Sequence, residues 1–190
     1  MLFRSLLLLA FTWPAAAAPL DDFLAAARAQ IGVTVSYDPA YVKLAYPGGD
    51  VAPDRGVCTD VVVRAFRKVG LDLQQSLHED MARAFSSYPR QWGLRGPDTN
   101  IDHRRVPNLA RYFERRGKKL PVTNVAADYR PGDLVTCTVP PHLPHIMVVS
   151  ASSSADDPQR RLVIHNIGRG AREEDRLFEF EINGHYRWWP

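Results

Sequence analysis

The sequence predicts an α+β fold in which N-terminal helices pack on an antiparallel sheet. Apolar residues recur at helical spacing through the first part of the chain, and beyond Gly117 the pattern changes to strand-like alternation. A composition of 45% hydrophobic and 24% charged residues is that of an ordinary globular domain. Helices first and a run of consecutive strands afterwards leave antiparallel pairing as the short-connection solution.

The chain opens with MLFRSLLLLAFTWPAAAAP, in which Arg4 precedes an apolar run and a tract of small residues. This is the pattern of a secretory leader, and the run is too short to span a bilayer. Ala15 and Ala17 supply the small side chains that cleavage requires, so residues 1–17 read as a signal peptide and 18–190 as one mature domain, periplasmic or secreted. Losing Arg4 takes the 24 basic residues to 23 against 21 acidic ones. A nearly neutral domain with scattered basic residues argues against a nucleic-acid partner. Stable membrane insertion after removal of the leader is not expected either.

Leu20, Phe23, Leu24, Ala27 and Ile31 place the first mature helix over residues 21–31, ending at Gly32. Residues 37–56, around YPGGD, read as a loop. From Cys58 the apolar positions 58, 61, 62, 65, 66 and 69 form a regular helical stripe closed by Gly70. Its consecutive valines are poor helix formers, so burial must hold this helix. Ser76 with Glu79 suggests a capping box and a helix over 77–85. Pro107 and Gly117 bracket another helix. Strands follow at 133–139, 146–150, 162–165 and 177–182, with the three prolines of PPHLP kept out of the ladder.

Three residues at element ends can carry chemistry. Cys58 sits in the first turn of the strongest helix, where unpaired N–H groups and the helix dipole favour a thiolate, although a Cys there can equally fill core space. His145 opens the strand HIMVVS and is a candidate base. If the next strand pairs with it as a hairpin, His165 in LVIHN can hold the far nitrogen of His145 and fix its tautomer.

The order YPGGD, GVCTD opening a helix, PGDLV, HIMVV and LVIHN resembles the NlpC-type cell-wall cysteine peptidases, which have a papain-like fold. The fragments DRGVCTDVVVRAFRKVGLDL, HEDM, NIDHRRVPNL and PGDLV also look like a bacterial exported family known as domain of unknown function 1287. The first resemblance implies Cys58 as nucleophile, His145 as base, His165 as orienting residue and Tyr46 in the substrate-binding loop. It implies an exported cysteine hydrolase, a peptidase or amidase acting on peptidoglycan stem peptides, without a cofactor. Val57 replaces the family's Asp before the nucleophile, and Thr59-Asp60 replaces Ser-Gly after it. The separation of 87 in residue number from Cys58 to His145 leaves room for a helical insertion at about 71–127. Within it, Arg104 and Arg105 suit recognition of substrate carboxylates, and Asp60 can pair with one of them.

Two rivals stand beside this reading. Cys137, His142, His145 and His165 have zinc-ligand chemistry, but C-x4-H-x2-H is not a usual structural-zinc spacing, and no metal is expected. Alternatively, Cys58 and Cys137 form a disulfide in a non-catalytic envelope binding or structural protein.

Overall fold

The computed structural model describes residues 19–190, so the leader read over residues 1–17 lies outside the described residues. Helix α1 (Pro19–Arg28) buries Phe23 and Ala27. It ends one turn before the expected stop, and the chain leaves through turns to Gly32 at φ 79°. Helix α2 (Cys58–Lys68) begins where its apolar stripe predicts. Val61, Val62 and Val63 are all buried, so removal of three valines from water offsets their weak helical propensity. Left-handed Gly70 lets its own N–H reach the Arg67 carbonyl and that of Leu71 reach Phe66, which closes the last turn.

Helix α3 (Leu73–Ala84) starts four residues before the expected position. Asp72, not Ser76, is its N-cap and accepts the Gln74 N–H at 3.1 Å. The earlier start buries Leu73 together with Leu77. Helix α4 (Val106–Arg115) carries Pro107 in its first turn and ends before left-handed Gly117.

Strands β1 (Ser36–Tyr37) and β2 (Arg55–Gly56) form a short parallel pair within the predicted loop region. The main sheet contains β3 (Lys119–Leu120), β4 (Leu134–Val139), β5 (Leu143–Ser153), β6 (Arg161–Asn166), β7 (Ala171–Glu174) and β8 (Glu181–Tyr186). Its order is β3-β8-β4-β5-β6-β7 and every pairing is antiparallel. Leu143 and Pro144 lie inside the β4–β5 ladder, opposite Val139 and Thr138, so only residues 140–142 form the turn. Strand β8 begins four residues later than expected because Leu177 is buried in the preceding turn. Strand β7, AREE, has no apolar alternation and was not foreseen.

The pleat gives the sheet two faces with different partners. Leu134, Ile146, Val148 and Ile164 pack under α1, α2 and α4, in a core that includes Phe23, Phe66 and Phe113. Val135, Cys137, Met147, Val149 and Val163 face the other way, against Tyr129 and Leu177. Asp133, in the PGDLV motif, anchors the sheet. It receives Arg187 Nε and Nη2 at 2.8 and 2.7 Å and lies 2.7 Å from His185 Nε2. Burial raises its carboxyl, but Arg187 and His185 outweigh that and hold it below the usual range.

Gly170 joins β6 and β7 at φ 82°, and a Cβ there would collide with the Thr34 carbonyl, which accepts the Ala171 N–H at 2.7 Å. Gly32 has the same left-handed geometry with open space around it. Gly170→Ala should therefore destabilise by more than the ~1–3 kcal/mol of a strained backbone alone, and by more than Gly32→Ala, as read from urea midpoints.

Candidate functional site

The start of α2 is held by side chains from distant parts of the chain. Val57 cannot cap the helix, but Asp60 at the third helical position reaches back and accepts the Val57 N–H at 2.7 Å. Gly56 is needed here, since a Cβ would press on the Asp60 carboxylate at 3.0 Å. The same carboxylate receives Arg104 Nε and Nη2, each at 3.0 Å, in a buried pair. Arg104 also donates to the carbonyls of Asp38 and Ala40 at 2.8 and 2.9 Å. On the sheet side, the Asn166 amide donates to the Gly56 and Ser36 carbonyls at 3.0 and 3.2 Å, tying the end of β6 to the turn that delivers Cys58.

The backbone N–H groups of Ile146 on β5, of Thr59 and of Cys58 itself act on the Cys58 thiol. These contacts favour a thiolate. Burial opposes them, with the Asp60 charge adding to its effect, and pushes the thiol up to about 12. The expected depression of this pKa is therefore overturned: desolvation exceeds the benefit of the helix N-terminus.

His145, His165 and Glu174 form a chain of hydrogen bonds. His145 Nε2 lies 2.8 Å from His165 Nδ1, and His165 Nε2 lies 3.0 Å from Glu174 Oε2. Burial is the main cause that lowers both histidines, His145 to about 3, so both are neutral at pH 7. The Glu174 carboxylate oxygen is the acceptor here, which makes His165 Nε2 the donor and Nδ1 an acceptor. His145 Nε2 must then donate to it, which leaves the lone pair on His145 Nδ1. Glu174 has no motif around it in the sequence, and only the pairing of β6 with β7 brings it to His165.

Cys58 and His145 make no hydrogen bond with each other. Ile146, whose N–H acts on the thiol, belongs to the helix-covered face, whereas His145 shares the opposite face with Cys137 and Met147 by strand alternation. The thiol thus interacts with the β5 backbone one residue from His145. Cys58 and Cys137 are both free, and their side chains lie in cores on opposite faces, so the disulfide expected in the rival reading is not formed. Among the described residues, no three His, Cys, Asp or Glu side chains are grouped to hold a metal ion.

A cleft of about 200 Å³ opens above Cys58, lined among others by Tyr37, Trp92, Arg105, Leu143 and Pro144. Arg105 therefore stands where a substrate contact is expected. Arg104 touches the same cleft, but four of its five N–H donors go to Asp60 and two carbonyls, so the expected pairing of Asp60 with one of the two arginines is formed with Arg104 and leaves Arg105 the less engaged of the two. Tyr46 lies edge-on to His78 with ring centroids 5.1 Å apart and does not line the cleft. Tyr37 takes that place, and no sequence signal singles it out.

Removing one member of the Asp60–Arg104 pair leaves the other charge buried and alone. Arg104→Ala should cost about 3–5 kcal/mol, measured by urea unfolding, and more than removal of the exposed Lys119. A second expectation concerns acid. Unfolded histidines take up protons below about pH 6.5, whereas His145 resists until about 3 and His103, lowered chiefly by burial, until about 4. The unfolded chain binds more protons in that window, so stability present above pH 6.5 should be lost as pH falls toward 3. Unfolding midpoints between pH 7.5 and 4 measure this, and a midpoint rising on acidification would contradict it.

The family model described as "Domain of unknown function (DUF1287)" matches residues 24–188. The chain is also 54% identical over 162 residues to the "Uncharacterized protein YijF" of Escherichia coli (strain K12), covering 85% of this chain and 78% of the relative. With a match across nearly all of the described residues and a relative this similar, the chain belongs to the DUF1287 family.

Proposed function

We propose that this protein is an exported cysteine hydrolase of papain-like type that cleaves an amide or peptide bond in cell-wall material, with Cys58 as nucleophile and His145 as base. The observation that carries the reading is the Glu174–His165–His145 chain. It keeps a neutral imidazole in the tautomer whose Nδ1 accepts a proton, on the residue adjoining the one whose N–H acts on the Cys58 thiol. His145 does not line the cleft and strand alternation turns it from the Cys58 face, so the reading requires thiol and imidazole to be brought together across the β5 backbone when a ligand fills the cleft.

In the proposed reaction the Cys58 sulfur attacks the carbonyl carbon while its proton passes to His145 Nδ1. The tetrahedral oxyanion is stabilised by backbone N–H groups at the start of α2. His145 then delivers the proton to the leaving amine, and water hydrolyses the acyl-enzyme in a second step with the same base. His165 and Glu174 are positioning residues that fix the tautomer. Because the thiol is neutral at rest, transfer to His145 accompanies attack, and no preformed thiolate–imidazolium pair is needed.

Digestion of purified peptidoglycan followed by mass analysis of the fragments tests the activity. Cys58→Ala should abolish release, and His145→Ala should lower it by about 10²–10⁴-fold. His165→Ala and Glu174→Ala should reduce it less, because nucleophile and proton acceptor remain. Full activity in Cys58→Ala would remove the cysteine-hydrolase reading. A second reading, a non-catalytic envelope binding protein in which Cys58 only fills space, is favoured by the burial and raised pKa of that thiol. Binding to intact peptidoglycan without fragment release, equally strong in Cys58→Ala, would select it.

A further inference from the structure

The cleft over Cys58 has a distinct electrostatic character. Arg104 and Arg105 are its cations, and among the described residues no carboxylate side chain lines it. Arg104 is neutralised by Asp60, which leaves Arg105 as the charge presented to a ligand. Arg105 has one long polar contact, Nη1 to Asp102 Oδ1 at 3.5 Å, and that carboxylate also accepts the Asp98 N–H. The guanidinium lies over the Trp92 ring, 4.2 Å from its centroid.

Trp92 is held in an unusual way. Its φ of 61° is the left-handed conformation that a bulky residue rarely adopts, and it is the positive-φ non-glycine residue among those described. The indole remains 49% exposed, so burial of the ring does not explain why the loop keeps this geometry. What the geometry does achieve is a flat support beneath Arg105, which orients its donor edge and restricts its rotamers before a ligand arrives. Leu143, 60% exposed, and Pro144 also line the cleft, and neither side chain offers a competing polar group.

We propose that Arg105, clamped on Trp92, is a carboxylate-reading subsite, so that the preferred ligand is an acyl compound carrying a free carboxylate near the carbonyl that approaches Cys58. This rests on the proposed role of the Cys58 cleft and adds the chemical class of its ligand. A planar, pre-oriented guanidinium pairs with a carboxylate through two parallel hydrogen bonds, and the apolar lining accepts the connecting methylene groups. Asp102 stays in place as the weak partner that holds Arg105 when the cleft is empty.

The test uses binding alone, in the Cys58→Ala protein, so that no turnover is needed. Probes are N-acetyl ω-amino acids with chains of two to six carbons, each compared with its terminal amide, and the readout is the NMR shift of the Trp92 indole N–H, assigned by Trp92→Phe. At one or more lengths the acid should bind at least tenfold more tightly than the amide. Arg105→Gln should erase that preference and Arg105→Lys should retain part of it, while Trp92→Leu, which lacks the reporter and is followed by titration calorimetry instead, should weaken it; thermal unfolding checks that each variant is folded. Equal binding of acid and amide at every length, or a preference that survives Arg105→Gln, would overturn the proposal. Peptidoglycan digestion reports separately on the hydrolase reading, because a carboxylate subsite survives in an inactive protein and an active enzyme can lack one.

Discussion

The buried pair between Asp60 and Arg104 is the interaction on which the arrangement of the site depends. A single carboxylate supplies the missing cap of α2, through the Val57 N–H, and the counter-charge for Arg104. Arg104 in turn holds the carbonyls of Asp38 and Ala40, so the segment bearing Tyr37 and the one bearing Arg105 are referenced to the same turn of α2 that carries Cys58. Each charge is costly to bury alone, and each supplies hydrogen bonds to the other. The sequence suggests that Asp60 pairs with Arg104 or Arg105, and the fold decides for Arg104.

The sheet contributes a second constraint. Its two faces are dry on both sides, and β5 runs between them with Ile146 and Val148 turned to the helices and His145 and Met147 turned away. Burial on the second face keeps His145 and His165 neutral, and the edge strand β7 brings in Glu174 to orient them. The histidine chain and the thiol are thus built by different layers, which meet at the backbone of residues 145 and 146. Asn166 couples the layers, since it follows His165 in β6 and holds the carbonyl of Gly56.

Much of this was legible where residues report on a single local rule. The apolar stripe and Gly70 define α2, and the alternating segments define β4, β5 and β6, with the pairing of the last two bringing His145 and His165 together as the hairpin argument requires. The misses share a cause, which is tertiary context competing with a local signal. Ser76 has the right neighbours for a cap, but burial of Leu73 moves the helix start to Asp72. Leu177 has strand-like neighbours, yet it is buried as part of a turn. Tyr37, Glu174 and Trp92 carry no motif, and what singles them out is the cleft, a strand pairing and a backbone dihedral.

The electrostatics of the thiol also bear on how a cysteine enzyme of the proposed kind would resist oxidation. A thiolate preformed at the start of α2 would be exposed to oxidation whenever the cleft was empty. Burial instead keeps Cys58 protonated and His145 neutral, so the charge-separated pair is unfavourable in the resting protein. In the proposed mechanism the cost is met only when a substrate carbonyl enters, because the negative charge then moves from sulfur to an oxyanion beside the N–H groups of α2 and the proton reaches an imidazole already oriented by His165. The site's reactivity thereby depends on occupancy of the cleft. Reading a carboxylate through Arg105 before attack fits that dependence, since it lets binding of the correct ligand precede formation of the nucleophile.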